Sequence, residues 1–298
     1  MHWILASLIA AGFRGIYELF TKHAVHDNAV LPVLFLSTAV GALVWAGIIG
    51  LHLAGMEWLP QPLVVESITA GQHGLLILKS LIVTISWVAT YFAVKHLPVS
   101  IVSPIRATMP VWTLGGAMLV LAERPNFIQL SGVAITLGSI FALSIAGRGE
   151  GINIWRNRWV GWAVLGMMLA VISTLYDKWL LGSAGLTPAP VQAWFSIYLT
   201  MFCAPLALAW KLRLWARQAF HWRWSIVFLS LALLVSDYYY FTALNDKNAL
   251  VSLIASLRQG STLVALAGGI AFFHEVPDRR KVLATIGVLV GISVTLAG

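Results

Sequence analysis

Long apolar runs separated by short polar joints make up almost the whole chain. Their lengths and spacing predict ten membrane-spanning helices, at about 3–21, 30–52, 73–94, 98–121, 127–146, 159–181, 190–211, 223–244, 249–273 and 280–297. Each run is close to the ~20 residues a helix needs to cross a bilayer, and the alternating ~10-residue strands of an outer-membrane barrel are absent. The longest joint, 53–72, is too short for a domain outside the membrane. The expected fold class is therefore all-α, a polytopic membrane helical bundle.

Composition strengthens this picture. Of the 298 residues 59% are hydrophobic and 10% charged, against ~25% charged in soluble domains, and the mean hydropathy is +0.86. The first run lacks a basic leader and a small-x-small cleavage site, so it reads as a mature spanning helix rather than a signal peptide. A net charge of +8 in a soluble protein points to nucleic acid. Here the basic residues gather at helix ends, where they anchor to anionic lipid, and no nucleic-acid partner is expected. The single cysteine, Cys203, allows no intrachain disulfide and no cysteine metal cluster. Nothing matches a phosphate-binding G-x-x-x-x-G-K-[ST] loop, and the histidines form no H-E-x-x-H pattern. The sequence thus predicts neither enzyme, cofactor nor metal site.

Two stretches stand out. Val99 to Pro125 places one charge, Arg106, about 12 Å into an apolar run. Leu250 to Pro277 repeats the order Arg258, Glu275, Pro277 at the spacing of Arg106, Glu123 and Pro125. Gly15-Ile-Tyr17-Glu18 similarly matches Thr174-Leu-Tyr176-Asp177, and Tyr91-Phe92 matches Tyr240-Phe241. The chain is therefore expected to consist of two five-helix repeats, 1–147 and 148–298. Because five is odd, the second enters the membrane the opposite way round, which is an inverted-topology repeat. Gly115-Gly116, Gly132 with Gly138, Gly268-Gly269 and Gly287 with Gly291 are positions where helices can approach closely. Pro104 and Pro110 flank Arg106, whereas Ser256 and Thr262 stand at the matching places, so only the first arginine helix is expected to be broken.

Two repeats of this length, the Ala93 to His96 turn, and the arginine helix closed by Glu-Pro before a glycine-rich last helix resemble the drug/metabolite transporter superfamily, in its EamA-type branch. The resemblance covers essentially the whole chain. It implies a transporter with a cavity lined mainly by helices 1, 3, 4, 6, 8 and 9, with helices 5 and 10 as outer supports.

Arg106 and Arg258 are the first candidates for chemistry, because a charge at the bilayer centre costs at least ~2.5–3.5 kcal/mol. Either they form a two-armed clamp for a carboxylate or phosphate, or each is permanently paired with an acid such as Asp237 or Glu18. Arg106 shares a helical face with Ser103, Pro110, Thr113 and Ala117, and Gln259 adjoins Arg258. Asp237 is either a proton-coupling acid or a fixed counter-ion, and Tyr240 lies one turn along its face. Glu18 can pair with Arg14 four residues earlier; with Asp177 it reads as a gating acid or as a snorkelling surface acid. Lys79, six residues inside its run, is a substrate contact or a snorkelling lysine, and Trp87 and Tyr91 lie on neighbouring turns. Glu123 and Glu275 are read as structural.

The function this predicts is secondary transport of a small organic metabolite, preferably anionic or zwitterionic, by alternating access. Its partners are that substrate, the bilayer and protons as coupling ion, in the cytoplasmic membrane of a bacterium; oligomeric state is left open. The alternatives are an exporter of amino acids or neutral metabolites with structural arginines, and a non-transporting scaffold or lipid-handling protein. Orientation is contested. The odd-numbered joints and their flanks hold 12 lysines and arginines and the even-numbered ones 3. That bias puts both termini outside the cytoplasm, whereas the family resemblance puts them inside.

Overall fold

The computed structural model describes residues 2–55, 60–97, 102, 105–106, 108–145, 157–214, 218–261, 263–264, 267–268 and 279–297. Among them the regular structure is helical throughout, with no strand. The α-helices are α1 (Trp3–Val25), α2 (Val30–Leu53), α3 (Ala70–His96), α4 (Met109–Val120), α5 (Phe127–Ile145), α6 (Arg158–Gly182), α7 (Pro188–Lys211), α8 (Ser225–Leu244), α9 (Val251–Leu257) and α10 (Arg279–Ala297).

Local chemistry sets the starts of these helices. Thr69 and Gln72 close a reciprocal capping box on α3, and the Asn157 side chain accepts from the Trp159 amide at the start of α6. Pro188 occupies the first turn of α7, where a missing N–H costs nothing. Six helices, α1, α2, α3, α6, α7 and α8, are long and apolar enough to cross a membrane, and α4, α5 and α10 contain shorter apolar stretches. Their outer faces carry large apolar side chains such as Leu43, Leu53, Leu119 and Phe127, which suits lipid and not water.

The helices pack in pairs. α1 lies along α8, α3 along α6, α2 along α7 and α5 along α10, while α4 touches α6 and α9. The α5–α10 pair is held very close. A Cβ on Gly291 would stand 2.5 Å from the Thr136 amide nitrogen and 2.8 Å from the Gly132 carbonyl oxygen, so only glycine lets the backbones meet there.

At the end of the bundle where α1 begins and α6 and α8 finish, one continuous apolar cluster joins Ala6, Leu76, Leu180, Val191, Tyr240, Leu244 and Val251. Two charges pin the α8–α9 joint there. The Lys178 ammonium donates to the carbonyls of Leu244 and Asp246, both at 2.9 Å. The buried Glu123 carboxylate accepts from the amides of Val251 and Ser252 and, at 2.7 Å, from the Ser252 hydroxyl. A cation thus meets a helix C-terminus and an anion a helix N-terminus. At the opposite end the described residues form separate clusters, one around Ala24, Val33, Ile226 and Leu229 and another around Ala93, Leu97, Val102 and Ala163. Asn28 ties the first of these together. Its amide donates to the Ala24 and His221 carbonyls, and its oxygen accepts from the amides of Ala29 and His221.

Both arginine stretches depart from a regular helix. Thr108 and Val111 donate to carbonyls three residues back, at Ile105 and Thr108. This tight turn precedes α4 because Pro110 has no N–H to continue an α-helical ladder. The second stretch was expected to run on unbroken. Instead α9 gives way at Arg258 to a 3-10 turn, Arg258–Gly260, tighter than the α-helix before it.

Candidate functional site: a charged central cavity

A cavity of about 180 Å³ lies between α1, α2, α3, α6, α7 and α8, reached also by Met109 of α4 and by Arg258. It is polar and large enough to hold water or a small solute. Each helix that the resemblance implied contributes to the lining, and two further helices join them. α2 contributes Ser37, Thr38 and Gly41, and α7 contributes Gln192, Phe195, Ser196 and Leu199. Among the described residues α5 and α10 contribute none of the lining, and they pack on one another.

Five of the lining residues carry charge, namely Arg14, Lys79, Asp177, Asp237 and Arg258, giving three cations to two acids. Lys79 and Asp177 form an ion pair with side chains only 2% and 6% exposed. The Lys79 ammonium also lies 4.2 Å from the ring centre of Phe195 and 5.1 Å from that of Phe241, so two π faces share its charge. Arg14 lies 3.7 Å from Glu18 across one turn of α1, over the Tyr17 ring. A Cβ on the neighbouring Gly15 would meet the Ser261 carbonyl at 2.7 Å, so that glycine lets α1 approach the turn that carries Arg258. The Arg258 guanidinium stacks over Tyr240, 4.0 Å from the ring centre. Asp237 feels the charges of Arg258, Arg14 and Lys79. Among the described residues it is in ion-pair or hydrogen-bond contact with none of them.

Of the residues singled out in the sequence, Lys79, Trp87, Asp237, Tyr240 and Arg258 come together around this cavity. Tyr91, half-buried, packs on Phe92 away from it, and Gln259 is half-buried in the turn beside Arg258 without lining it. Ser103 lies outside the described residues. Arg106 is exposed and is not in the lining; its electrostatic neighbours are Arg14, Glu18 and Tyr17. The proline-induced turn leaves Arg106 ahead of α4 rather than within it, so the two arginines do not face each other across one cavity here. Glu18 is partly exposed and engaged with Arg14. Lys79 does not snorkel to a surface, and Asp177 is no surface acid, because each neutralises the other inside the protein. Gln192 went unremarked in the sequence. Its Nε2 donates to the Leu234 carbonyl at 2.6 Å, and it is 1% exposed.

Comparison with known proteins places this architecture. A family model, the EamA-like transporter family, matches residues 1–145. Those residues belong to the EamA-like transporter family, within the drug/metabolite transporter superfamily. Together with the apolar helices, this match makes the chain a multi-pass integral membrane protein, and the matched family is one of transporters. A crystal structure 18% identical in sequence matches with a TM-score of 0.66, covering 98% of each chain. At that identity the likeness shows a shared fold. No curated protein matches the sequence.

Proposed function

We propose that this EamA-like protein is a secondary transporter that carries a small anionic or zwitterionic organic metabolite through the central cavity by alternating access. In this reading ten spans, in two inverted five-helix repeats, cross the cytoplasmic membrane of a bacterium. The observation that carries it is the cavity itself: Asp237 and Arg258, without an ion-pair partner among the described residues, face a polar space bounded at one end by a single apolar cluster. Burying charge at such depth is costly and marks a pathway.

The packing supports the repeat. α1 lies along α8 as α6 lies along α3, α4 touches α6 as α9 touches α1, and the pairs α2–α7 and α5–α10 map onto themselves when five is added. A central site between inverted repeats is the arrangement in which each half rocks against the other. In the state described here Arg258 reaches the cavity, and exchange of conformation between the repeats brings Arg106 to the equivalent place. Asp237 serves as the coupling acid, taking a proton as substrate leaves, and Glu18 is the second titrating group near the cavity.

Two-sided access tests the mechanism without knowledge of the substrate. In a Cys203→Ser background, Ala170→Cys puts a thiol on the cavity wall. A membrane-impermeant maleimide is expected to label it from either face of sealed vesicles, with an imposed pH gradient shifting the balance between faces. Labelling from one face alone, with and without the gradient, rules alternating access out.

A further inference from the structure

Residues 60–69, between α2 and α3, lie across the end of the bundle that the single apolar cluster closes, and they enter α3 through the Thr69 cap. Pro60 and Pro62 stiffen the start of this stretch, where Gln61–Leu63 makes one 3-10 turn. Beyond it the amides of Val65, Glu66, Ser67 and Ile68 donate to no group among the described residues. Side chains hold the stretch in place instead. Leu63 and Val65 pack with Leu234 and Tyr238 of α8 around Trp45 and Ala193, and Ile68 joins the closing cluster. The Tyr238 hydroxyl donates to the Pro62 carbonyl at 2.9 Å. Leu234 also lines the cavity, so the stretch rests on a side chain that forms the cavity wall.

On the proposed repeat the counterpart of this stretch is the α7–α8 joint, at the opposite end of the bundle. There Phe220 packs with Ala24 and Val33, Asn28 holds His221, and the Arg223 guanidinium donates to the His23 carbonyl. Those partners belong to α1, α2 and the joint between them. The pairs α1–α8 and α3–α6 each contribute to the cavity wall. The α7–α8 joint leads into α8 and stays on α8's own pair, whereas residues 60–69 lead into α3 and reach across to α8. The two ends differ in the same sense. Where the stretch crosses, one cluster includes Ala6 and Tyr240 of the first pair together with Leu76 and Leu180 of the second. Where the joint does not cross, each pair keeps a cluster of its own.

We infer that residues 60–69 are a releasable strap, which holds the closed end shut by bridging α3 to α8 and lets go of Leu234 and Tyr238 when the cavity opens at that end. This rests on the transporter reading and assigns one of its moving parts. Release breaks no helical or sheet ladder and gives up two apolar side chains and one hydrogen bond, which places it among the low-cost local openings of a protein.

The test uses the full-length chain in sealed vesicles, in the Cys203→Ser background. Ser67→Cys, on an exposed part of the strap, reports which vesicle face the strap occupies. Ala170→Cys, on the cavity wall, then reports opening. Leu63→Ala/Val65→Ala is expected to raise the rate at which a membrane-impermeant maleimide reaches the thiol at position 170 from the strap's face by about 10-fold or more, without raising it from the other face. Tyr238→Phe, which removes one oxygen and keeps the ring, is expected to raise that rate about 3-fold, and it decides the matter where the double truncation does not fold. Leu119→Ala, on an exposed apolar position far along α4, is expected to change neither rate. Unchanged or slower labelling from the strap's face in the strap variants, or an equal rise at both faces, overturns the strap and leaves the transporter reading standing. Labelling of the protein with its native strap from one face alone rules out alternating access instead, and the strap is then judged by whether its variants open the second face.

Discussion

Breaking the Lys79–Asp177 pair from either side is expected to destabilise the protein severely, and acid is expected to ease the loss of Lys79. Both side chains are almost wholly buried, so the survivor of a single substitution has at most the confined space of the cavity, and not bulk water, to solvate it. It must stay charged and unpaired, or change protonation. At pH 7 a lysine of ordinary pKa ~10.4 gives up its proton for ~4.6 kcal/mol, and an aspartate of ordinary pKa ~3.9 takes one for ~4.2 kcal/mol. These set ceilings close to the ~3–5 kcal/mol found for breaking buried pairs. In Asp177→Asn the ammonium keeps its contacts with Phe195 and Phe241, each contributing roughly 0.5–2 kcal/mol, which lowers the expected loss to ~3 kcal/mol. In Lys79→Met the carboxylate has no cation in contact, and the expected loss is ~4 kcal/mol. Acidification makes protonating the stranded Asp177 cheaper, so the ceiling on the Lys79→Met penalty falls towards ~1.5 kcal/mol at pH 5. The double variant Lys79→Met/Asp177→Leu strands no charge and is expected within ~1 kcal/mol of the parent. Denaturant unfolding followed by the fluorescence of the 14 tryptophans measures all of these. Single losses under ~1 kcal/mol, a Lys79→Met penalty that does not fall in acid, or a double variant no better than the singles would refute the coupled pair.

Gly291→Ala must push α10 off the backbone of α5 and is expected to cost ~1–3 kcal/mol, whereas Gly138→Ala, whose Cβ meets nothing within 4 Å, is expected to be neutral or to stabilise by up to ~1 kcal/mol; equal melting temperatures for the two would show that the α5–α10 contact is not close. For orientation, the excess of basic residues on the odd-numbered joints is expected to hold that side in the cytoplasm. A reporter fused after Gly298 that fluoresces only in the cytoplasm is therefore expected to be dark, and bright cells would assign the orientation to family precedent.

The sequence carried much of this architecture because lipid imposes a one-dimensional code: apolar length marks a helix, and a charge within it marks a site. Lys79, Asp237 and Arg258 were legible as cavity lining on that basis, and Trp87 and Tyr240 by their helical spacing. Asp177 was not, because position near the end of a run reads as closeness to water. Here that end of the bundle is closed by the cluster around Leu180, Tyr240 and Val251, so the end of α6 is protein interior. A signal did exist, since Lys79 and Asp177 stand about five residues inside the same end of oppositely directed runs. Gln192 carried no such mark. An amide in a helix becomes informative only when one of its atoms is known to be used and the other left free, and that depends on the α7–α8 contact. The 3-10 turn at Arg258 was hidden for a related reason, because without a proline the break is made by packing against α1 and α10 rather than by local chemistry.

The matched acids Glu18 and Asp177 say most about how the site works. On the proposed repeat they are equivalent, and each has a cation beside it, yet Glu18 is partly exposed with Arg14 while Asp177 is sealed with Lys79. One pair is thus partly exposed and the other enclosed. Under the proposed mechanism a rocking exchange of the halves would open the Lys79–Asp177 end and seal the Arg14–Glu18 end, so neither acid would stay dry throughout a cycle. Asp237 differs because it faces the cavity itself and has no cation in contact to hold its charge. Under the proposed mechanism its charge is the one that substrate or proton would neutralise each time the cavity closes, which is why that reading gives coupling to Asp237 and gating to the two pairs.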